Sequence, residues 1–167
     1  MRALRVGLGL AAALALQSQV TATLVARGWT LDLVAVVVLY FGLTRGPLVG
    51  LFSGTLGGIG QDALSGGVLG VGGLVKTLIG FGAGVIGAQF LMTGVVARFV
   101  VFFGGTLLDV LGFRGLSAAL GVHDLAVSSG MLLRHGLTNA LVGVLLFQTL
   151  ELVPSVVGQR RPGSRLR

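Results

Sequence analysis

The chain has 167 residues, of which 54% are hydrophobic and only 10% are charged, and its mean hydropathy is +0.99. Because soluble domains carry about 25% charged residues, this composition excludes an ordinary soluble protein and predicts one that lies in a lipid bilayer. The net charge of +7 does not indicate nucleic-acid binding, since four of the twelve basic residues lie in the last eight positions. In a membrane protein, basic termini instead indicate ends that lie in the cytoplasm.

Six apolar segments follow one another along the chain, and we predict that each forms a transmembrane α-helix. The predicted bounds are 4–26, 30–44, 47–63, 68–90, 94–113 and 130–152. The first segment also has features of a signal peptide, but the segments after it are membrane-like too, so we interpret it as a retained helix. The predicted fold class is an all-α integral membrane protein, a bundle of six transmembrane helices in a single domain of residues 1–153.

The connections between the segments carry further signals. The second and third segments are separated by Arg45-Gly46-Pro47, in which glycine favours a turn and proline suits the first turn of a helix. One continuous helix would place Arg45 in the middle of the bilayer, which is costly, so we expect two helices joined by a tight turn. Residues 114–129 are too short and too polar to span, and we expect an interfacial or re-entrant segment there.

The distribution of basic residues predicts the orientation of the helices. With both termini in the cytoplasm, the inner side holds eight basic residues: Arg2, Arg5, Arg45, Arg98, Arg160, Arg161, Arg165 and Arg167. The outer side then holds two, Arg27 and Arg114. Because positively charged loops stay in the cytoplasm, this asymmetry favours an N-in/C-in protein. Residues 154–167 are expected to form a disordered, basic cytoplasmic tail that can touch anionic lipid.

Glycine accounts for 30 residues, and on two segments small residues recur every four positions. Residues four apart form one ridge on a helix surface, and small residues let a second helix come close within a membrane. We name these sets the glycine ridges and predict that they are helix-docking surfaces; they consist of Gly46, Gly50, Gly54 and Gly58 on the third segment and of Gly72, Gly80 and Gly84 on the fourth. Packing within the bundle and docking of a partner helix are both open.

Two charged residues continue these ridges, Asp62 on the third segment and Lys76 on the fourth. In the N-in orientation both lie in the outer half of the bilayer, where further polar side chains join them: Gln17, Asp109, Arg134, His135 and Asn139. Since a charge at this depth must be paired or hydrated, we predict the ion pairs Asp62–Lys76 and Asp109–Arg134. Three interpretations are open: a structural ion-pair network, an outward-open polar cavity for a ligand, or a groove for a partner's transmembrane helix.

The sequence does not indicate an enzyme. The glycine-rich stretches lack the GK[ST] sequence of a phosphate-binding loop, and no Ser, His and Asp residues have the spacing of a known catalytic triad. The two histidines, His123 and His135, have no acidic cluster near them that would support a metal site. We therefore predict no catalytic residue, no metal and no cofactor.

Several short motifs resemble a known family. The pattern begins with Asp32-Leu33, Tyr40-Phe41 and Arg45-Gly46-Pro47, and after a glycine-rich helix it continues with Gln61-Asp62-Ala63-Leu64-Ser65-Gly66-Gly67, Leu69-Gly70 and Lys76-Thr77-Leu78-Ile79-Gly80-Phe81. Near the end of the chain, Gly136-Leu137-Thr138-Asn139-Ala140 is similar to the family's last helix. In these motifs the sequence resembles the rod shape-determining protein MreD family.

The resemblance implies a multi-pass protein of the bacterial inner membrane without enzymatic activity. MreD proteins work with the bitopic protein MreC in the cell-elongation machinery, which carries out lateral peptidoglycan synthesis, maintains rod cell shape and includes MreB, RodA and a class B penicillin-binding protein. The fold of the family is similar to that of the six-helix substrate-binding subunits of energy-coupling-factor transporters. Two functions are therefore expected: a scaffold or regulator that binds MreC or, alternatively, a small-solute-binding membrane subunit of such a transporter.

Overall fold

The computed structural model describes residues 2–25, 29–66, 68–90, 94–121 and 128–158. Within these ranges the chain is all-helical, without strands, and the helices are α1 (Arg2–Val25), α2 (Leu33–Arg45), α3 (Pro47–Ser65), α4 (Val71–Gln89), α5 (Val95–Ala119) and α6 (Ser129–Gly158). Three stretches are long and apolar enough to cross a membrane: Val71–Gln89, Val95–Ala119 and Ser129–Glu151. Their length and composition indicate a membrane protein.

Each of the six predicted segments corresponds to one helix, but two helices extend further than predicted. α5 continues to Ala119, so the expectation of an interfacial segment is wrong for residues 114–119. These residues contain no proline, and the first left-handed glycine after them is Gly121, with a φ of 72°. α6 likewise runs to Gly158, so residues 154–158 of the predicted disordered tail are helical. Residues 122–127 and 159–167, the other parts of these two segments, lie outside the described residues.

The turn between α2 and α3 has the predicted form. α2 begins after Asp32, whose Oδ1 accepts a hydrogen bond from the backbone N of Ala35 at 2.9 Å and so caps the helix. It ends at Gly46, which adopts a φ of 95°, and Pro47 is the first residue of α3. A residue with a side chain is strained at this φ, which explains why glycine occupies the position.

Contacts between helices define two ends of the bundle. At the first, which we call the cluster end, Asp32 at the start of α2 contacts Gln61 near the end of α3 and Asn139 in the first half of α6. At the second, the arginine end, Arg98 near the start of α5 binds Glu151 in the second half of α6. Successive helices therefore run in alternating directions, with α2, α4 and α6 starting toward the cluster end.

α2 is the central helix, because it packs against each of the other five. Its side chains Val34, Val36 and Leu39 are almost completely buried. Leu39 also belongs to a core cluster that includes Phe102 of α5 and other residues of α4 and α6. α2 is a short helix, because it has 13 residues and rises about 1.5 Å per residue. Since this short helix lies in the centre, the polar groups at its start lie inside the bundle.

α3 and α4 form the closest helix pair, and the glycine ridges lie between them. A Cβ atom added to Gly50 would overlap the backbone of Gly80, and one added to Gly54 would overlap the carbonyl group of Lys76. One added to Gly58 would lie 2.5 Å from the Cα of Gly73. Gly72 and Gly84 are similarly close to Asp62 and Pro47, whereas Gly46 has open space around it. The two ridges thus pack on one another.

Candidate functional site

Lys76 of α4 occupies the centre of a buried group of charges. Its Nζ lies 3.0 Å from Oδ2 of Asp32 and 2.9 Å from Oδ2 of Asp109, and it also donates to Oδ1 of Asp109 at 3.2 Å. The side chains of Lys76, Asp32 and Asp109 are only 5%, 11% and 6% exposed. We call these three residues the charged cluster, and they connect α4 with the start of α2 and with α5.

Asp32 has further hydrogen-bond donors besides Lys76. Its Oδ1 accepts from the backbone N of Ala35, and its Oδ2 accepts from Nε2 of Gln61 at 3.2 Å. The carboxylate therefore has two roles, as the cap of α2 and as a partner of Lys76. The ammonium group compensates the burial of this charge, which would otherwise be strongly unfavourable.

An uncharged chain of hydrogen bonds continues from the charged cluster to α5 and α6. The backbone N of Asp32 donates to Oδ1 of Asn139 at 3.0 Å, and Nδ2 of Asn139 donates to Oγ1 of Thr106 at 3.3 Å. Oγ1 of Thr106 in turn donates to the carbonyl oxygen of Phe102 at 2.8 Å. Asn139 and Thr106 are completely buried, so α2 to α6 all contribute to one polar interior.

α1 is attached to the same region by Gln17. The Nε2 of Gln17 donates to the carbonyl oxygen of Leu31, and its Oε1 accepts from the backbone N of Leu33, each at 2.7 Å. These two bonds satisfy backbone groups just before and at the first turn of α2. Gln17 therefore lies at the cluster end, and its described bonds are with the backbone of residues 31 and 33.

The predicted pairing of charges is wrong. Asp62, at the end of α3, does not pair with Lys76: its Oδ2 accepts from the backbone N of Gly70 and Gly73, at 2.8 and 3.2 Å. These amides lie at the start of α4, where a carboxylate satisfies free N–H groups and meets the positive end of the helix dipole. Asp109 pairs with Lys76 instead of Arg134, which is exposed and donates to the carbonyl oxygen of Gly130 at 3.3 Å.

His135 lies near the charged cluster without a hydrogen bond at Nε2. It is one helical turn before Asn139 on α6, whose Oδ1 accepts from the backbone N of Asp32. Nε2 is buried and has no hydrogen-bond partner among the described residues. In the same described part, no three His, Asp or Glu side chains form a group that could hold a metal ion.

The cavity in the described structure lies beside the cluster rather than around it. A groove of about 700 Å³ runs between α4 and α5 and is lined by apolar side chains and glycines, among them Leu78, Ile86, Leu108, Gly104 and Gly115. No charged residue lines it. One interpretation of the sequence placed the polar residues around an outward-open cavity. In the structure most of these residues are bonded to one another or to the backbone.

A second ion pair, at the arginine end, was not predicted from the sequence. Arg98 donates from both terminal nitrogens to Glu151, at 2.9 and 3.0 Å. Its guanidinium carbon lies 4.0 Å from the centre of the Phe147 ring, and Arg98 itself is buried. The bidentate pair and the ring together hold the start of α5 to the second half of α6.

Asp32, Gln61 and Thr106 are the members of the polar interior that the search for buried charges missed. Asp32 lies outside the apolar periodicity, directly before the run Leu33–Tyr40, and such a position indicates a helix cap. Thr106 carries no signal that separates it from other threonines in apolar helices. The sequence does not show whether the side chain of a cap residue faces the interior of a bundle. Asp32 faces the interior because α2 lies in the centre of the bundle.

We expect the effects of substituting Asp62 and Lys76 on stability to be nearly additive. Asp62→Ala removes two hydrogen bonds from the start of α4 and is expected to lower the free energy of unfolding by about 1–2 kcal/mol. In a double-mutant cycle of reversible unfolding in micelles, the coupling between Asp62 and Lys76 should be below about 0.5 kcal/mol. The matched cycle of Asp109 and Lys76 should give a much larger coupling, and equal couplings would contradict the observed pairing.

No protein-family model matches the chain, and no curated protein or solved structure matches it significantly. The resemblance to MreD therefore depends on the sequence motifs of residues 30–84 and 136–140 alone.

Proposed function

We propose that the protein is a membrane scaffold or regulator of the MreD type, which binds MreC in the bacterial cell-elongation machinery. In this role it supports lateral peptidoglycan synthesis and rod cell shape, within a larger complex that includes RodA, a class B penicillin-binding protein and MreB. It is proposed to be a multi-pass protein of the inner membrane with six transmembrane helices and both termini in the cytoplasm.

The observation that supports this proposal is the meeting of motif residues that are far apart in the sequence. Asp32, Gln61, Lys76 and Asn139 all belong to the motifs that resemble MreD, and they are joined by hydrogen bonds or ion pairs in one buried group. Their described partners are other groups of the same chain. A motif of this kind defines the arrangement of helices, as a scaffold requires.

The alternating directions of the helices support the proposed topology. Arg45 at the end of α2 and Arg98 near the start of α5 both lie toward the arginine end. If that end faces the cytoplasm, these residues follow the rule that positive charges stay inside. The charged cluster then lies toward the outer side of the membrane, and both termini lie inside.

The transporter alternative has less support from the geometry. A solute-binding subunit needs a pocket with free polar groups for its ligand, whereas Asp32, Lys76 and Asp109 bind one another. The groove between α4 and α5 is apolar. The alternative is therefore retained as an outcome of the experiment below.

We expect the tagged chain, solubilised from its native membranes in mild detergent, to retain a single-span MreC-like protein in near-equal amount. Mass spectrometry of the purified material measures this ratio. A similarly tagged, unrelated multi-pass protein from the same membranes serves as the control and should retain none. Recovery of an ATPase pair with a coupling membrane subunit would replace the scaffold proposal by the transporter alternative, and recovery of neither partner would remove the support for both.

A further inference from the structure

The charged cluster contains two carboxylates but one ammonium group. When Asp32, Lys76 and Asp109 are all ionised, these three side chains sum to one negative charge. All three are buried, where an unbalanced charge is unfavourable. One proton bound to either carboxylate makes the three groups neutral, and two carboxylates that share one site favour such protonation.

The two carboxylates differ in what they lose when a proton binds. Asp32 accepts hydrogen bonds from the backbone N of Ala35 and from Gln61 in addition to its contact with Lys76. Asp109 accepts both of its described hydrogen bonds from Lys76. Because donors to an ionised carboxylate stabilise that form, the proton is expected on Asp109. Its Oδ1 is the farther from Nζ, at 3.2 Å against 2.9 Å for Oδ2.

We propose that the charged cluster is a proton-binding site, in which Oδ1 of Asp109 takes up and releases one proton and thereby controls how firmly α5 is held to α4. The proton comes from the aqueous phase, and Oδ2 of Asp109 continues to accept from Lys76. Protonation replaces a charge–charge pair by a hydrogen bond to a neutral acid, which weakens the link between the two helices.

The position of this link explains why the proton should affect the helices. The apolar groove lies between α4 and α5, so part of the space between these two helices is open. Val75 still contacts α5, since a Cβ on Gly112 would lie 3.0 Å from its Cγ1. The Lys76–Asp109 pair lies next to this contact and crosses from one helix to the other.

Other titratable and polar groups face the site from the neighbouring helices. Gln61 of α3 and Asn139 of α6 are neutral and are bonded to Asp32. Asp62 on α3 is the nearest further carboxylate among the described residues and is held by the backbone N of Gly70 and Gly73, and His135 lies one turn before Asn139 on α6. A positive charge on His135 would oppose protonation of the cluster, so the test below includes a variant of this residue.

The proposal is tested by pH-difference infrared spectroscopy of the full chain in lipid nanodiscs. A protonated carboxylic acid has a C=O stretching band that an ionised carboxylate lacks. The chain has five acidic residues, so each can be substituted in turn: Asp32, Asp62, Asp109, Asp124 and Glu151. As the pH falls from mildly alkaline to mildly acidic, we expect one such band, lost in Asp109→Asn and kept in the substitutions of Asp62, Asp124 and Glu151 and in His135→Gln. Asp32→Asn leaves Lys76 and Asp109 with balanced charges, so the band should disappear from this pH range or move to lower pH in that variant.

A second variant and a second measurement keep the proposal testable if Asp109→Asn does not fold. Asp109→Glu retains an acid and should shift the position of the band. Because the chain has no cysteine, spin labels at Leu78→Cys and Leu108→Cys report the distance between α4 and α5. We expect this distance to increase on acidification, at the same pH at which the infrared band appears, both in the otherwise unchanged chain and in Asp109→Glu.

Each other result overturns the proposal. A band that disappears in Asp32→Asn but not in Asp109→Asn would place the proton on the wrong carboxylate. The absence of a band over the whole range would mean that no carboxylate of the cluster takes up or releases a proton there, and that the cluster is a structural network only. A band from Asp109 without a change in the label distance would remove the proposed control of the α4–α5 contact.

Discussion

Replacement of Lys76 by methionine is expected to lower the free energy of unfolding by about 3–5 kcal/mol. The change preserves most of the apolar volume of the side chain but removes the ammonium group from between Asp32 and Asp109, which lie 3.0 and 2.9 Å from Nζ. Two buried carboxylates then face each other without a cation. Reversible unfolding in mixed micelles, followed by the fluorescence of the single tryptophan, Trp29, measures the effect.

Arg134→Met is the matched control for this prediction. Arg134 is exposed, and its replacement should change the free energy of unfolding by less than about 0.5 kcal/mol. Removing the charges together, as Lys76→Met with Asp32→Asn and Asp109→Asn, should restore much of the lost stability, because no uncompensated charge is left. Equal effects of Lys76→Met and Arg134→Met would contradict the assignment of Lys76 as the centre of the cluster.

The sequence indicates that Lys76 faces protein but not which carboxylates it meets. The period of four residues correctly places its backbone against α3, where Gly54 lies close to its carbonyl group. The lysine side chain is long and flexible. It extends away from the contact between its backbone and Gly54 and binds Asp32 and Asp109. Meanwhile Asp62 is bound by backbone amides at positions 70 and 73, a local contact that the spacing of charges does not show.

The helices themselves follow from composition and from a few local signals. Arg45-Gly46-Pro47 gives the turn between α2 and α3, because glycine adopts the positive φ and proline starts the next helix. The end of α5 lacks such a signal. The change from apolar to mixed residues after Phe113 predicts a helix end there, but the helix continues to Ala119. Amphipathic residues can extend a helix beyond its apolar part, since its own backbone bonds are satisfied there.

For the glycine ridges, the sequence pattern predicts a close helix contact but does not identify the helix that makes it. Glycines four residues apart predict a close approach of two helices, and α3 and α4 do approach closely along Gly50, Gly54 and Gly58. The pattern is equally compatible with a partner's helix, because a ridge does not identify what covers it. In the described structure the ridges of α3 and α4 cover each other, so a partner must bind elsewhere unless the two helices separate.

We expect Gly54→Ala to lower the free energy of unfolding by about 1–3 kcal/mol, although alanine ordinarily favours a helix. The added Cβ overlaps the carbonyl group of Lys76 and lies 2.7 Å from the backbone N of Thr77. Backbone atoms cannot move aside as a flexible side chain can, so α3 and α4 must shift apart. The same unfolding assay measures the change.

Gly82→Ala, on α4, is the matched control, because no atom lies within 4 Å of a Cβ at that position. It should be neutral or should stabilise by up to about 1 kcal/mol, since it removes a glycine from a helix interior. Retention of the proposed MreC-like partner in the co-purification separates the two uses of the ridge. If Gly54→Ala leaves stability unchanged but abolishes retention of that partner, the ridge docks a partner and the observed α3–α4 contact is not the bound arrangement. Loss of stability without selective loss of the proposed partner assigns the ridge to the interior of the bundle.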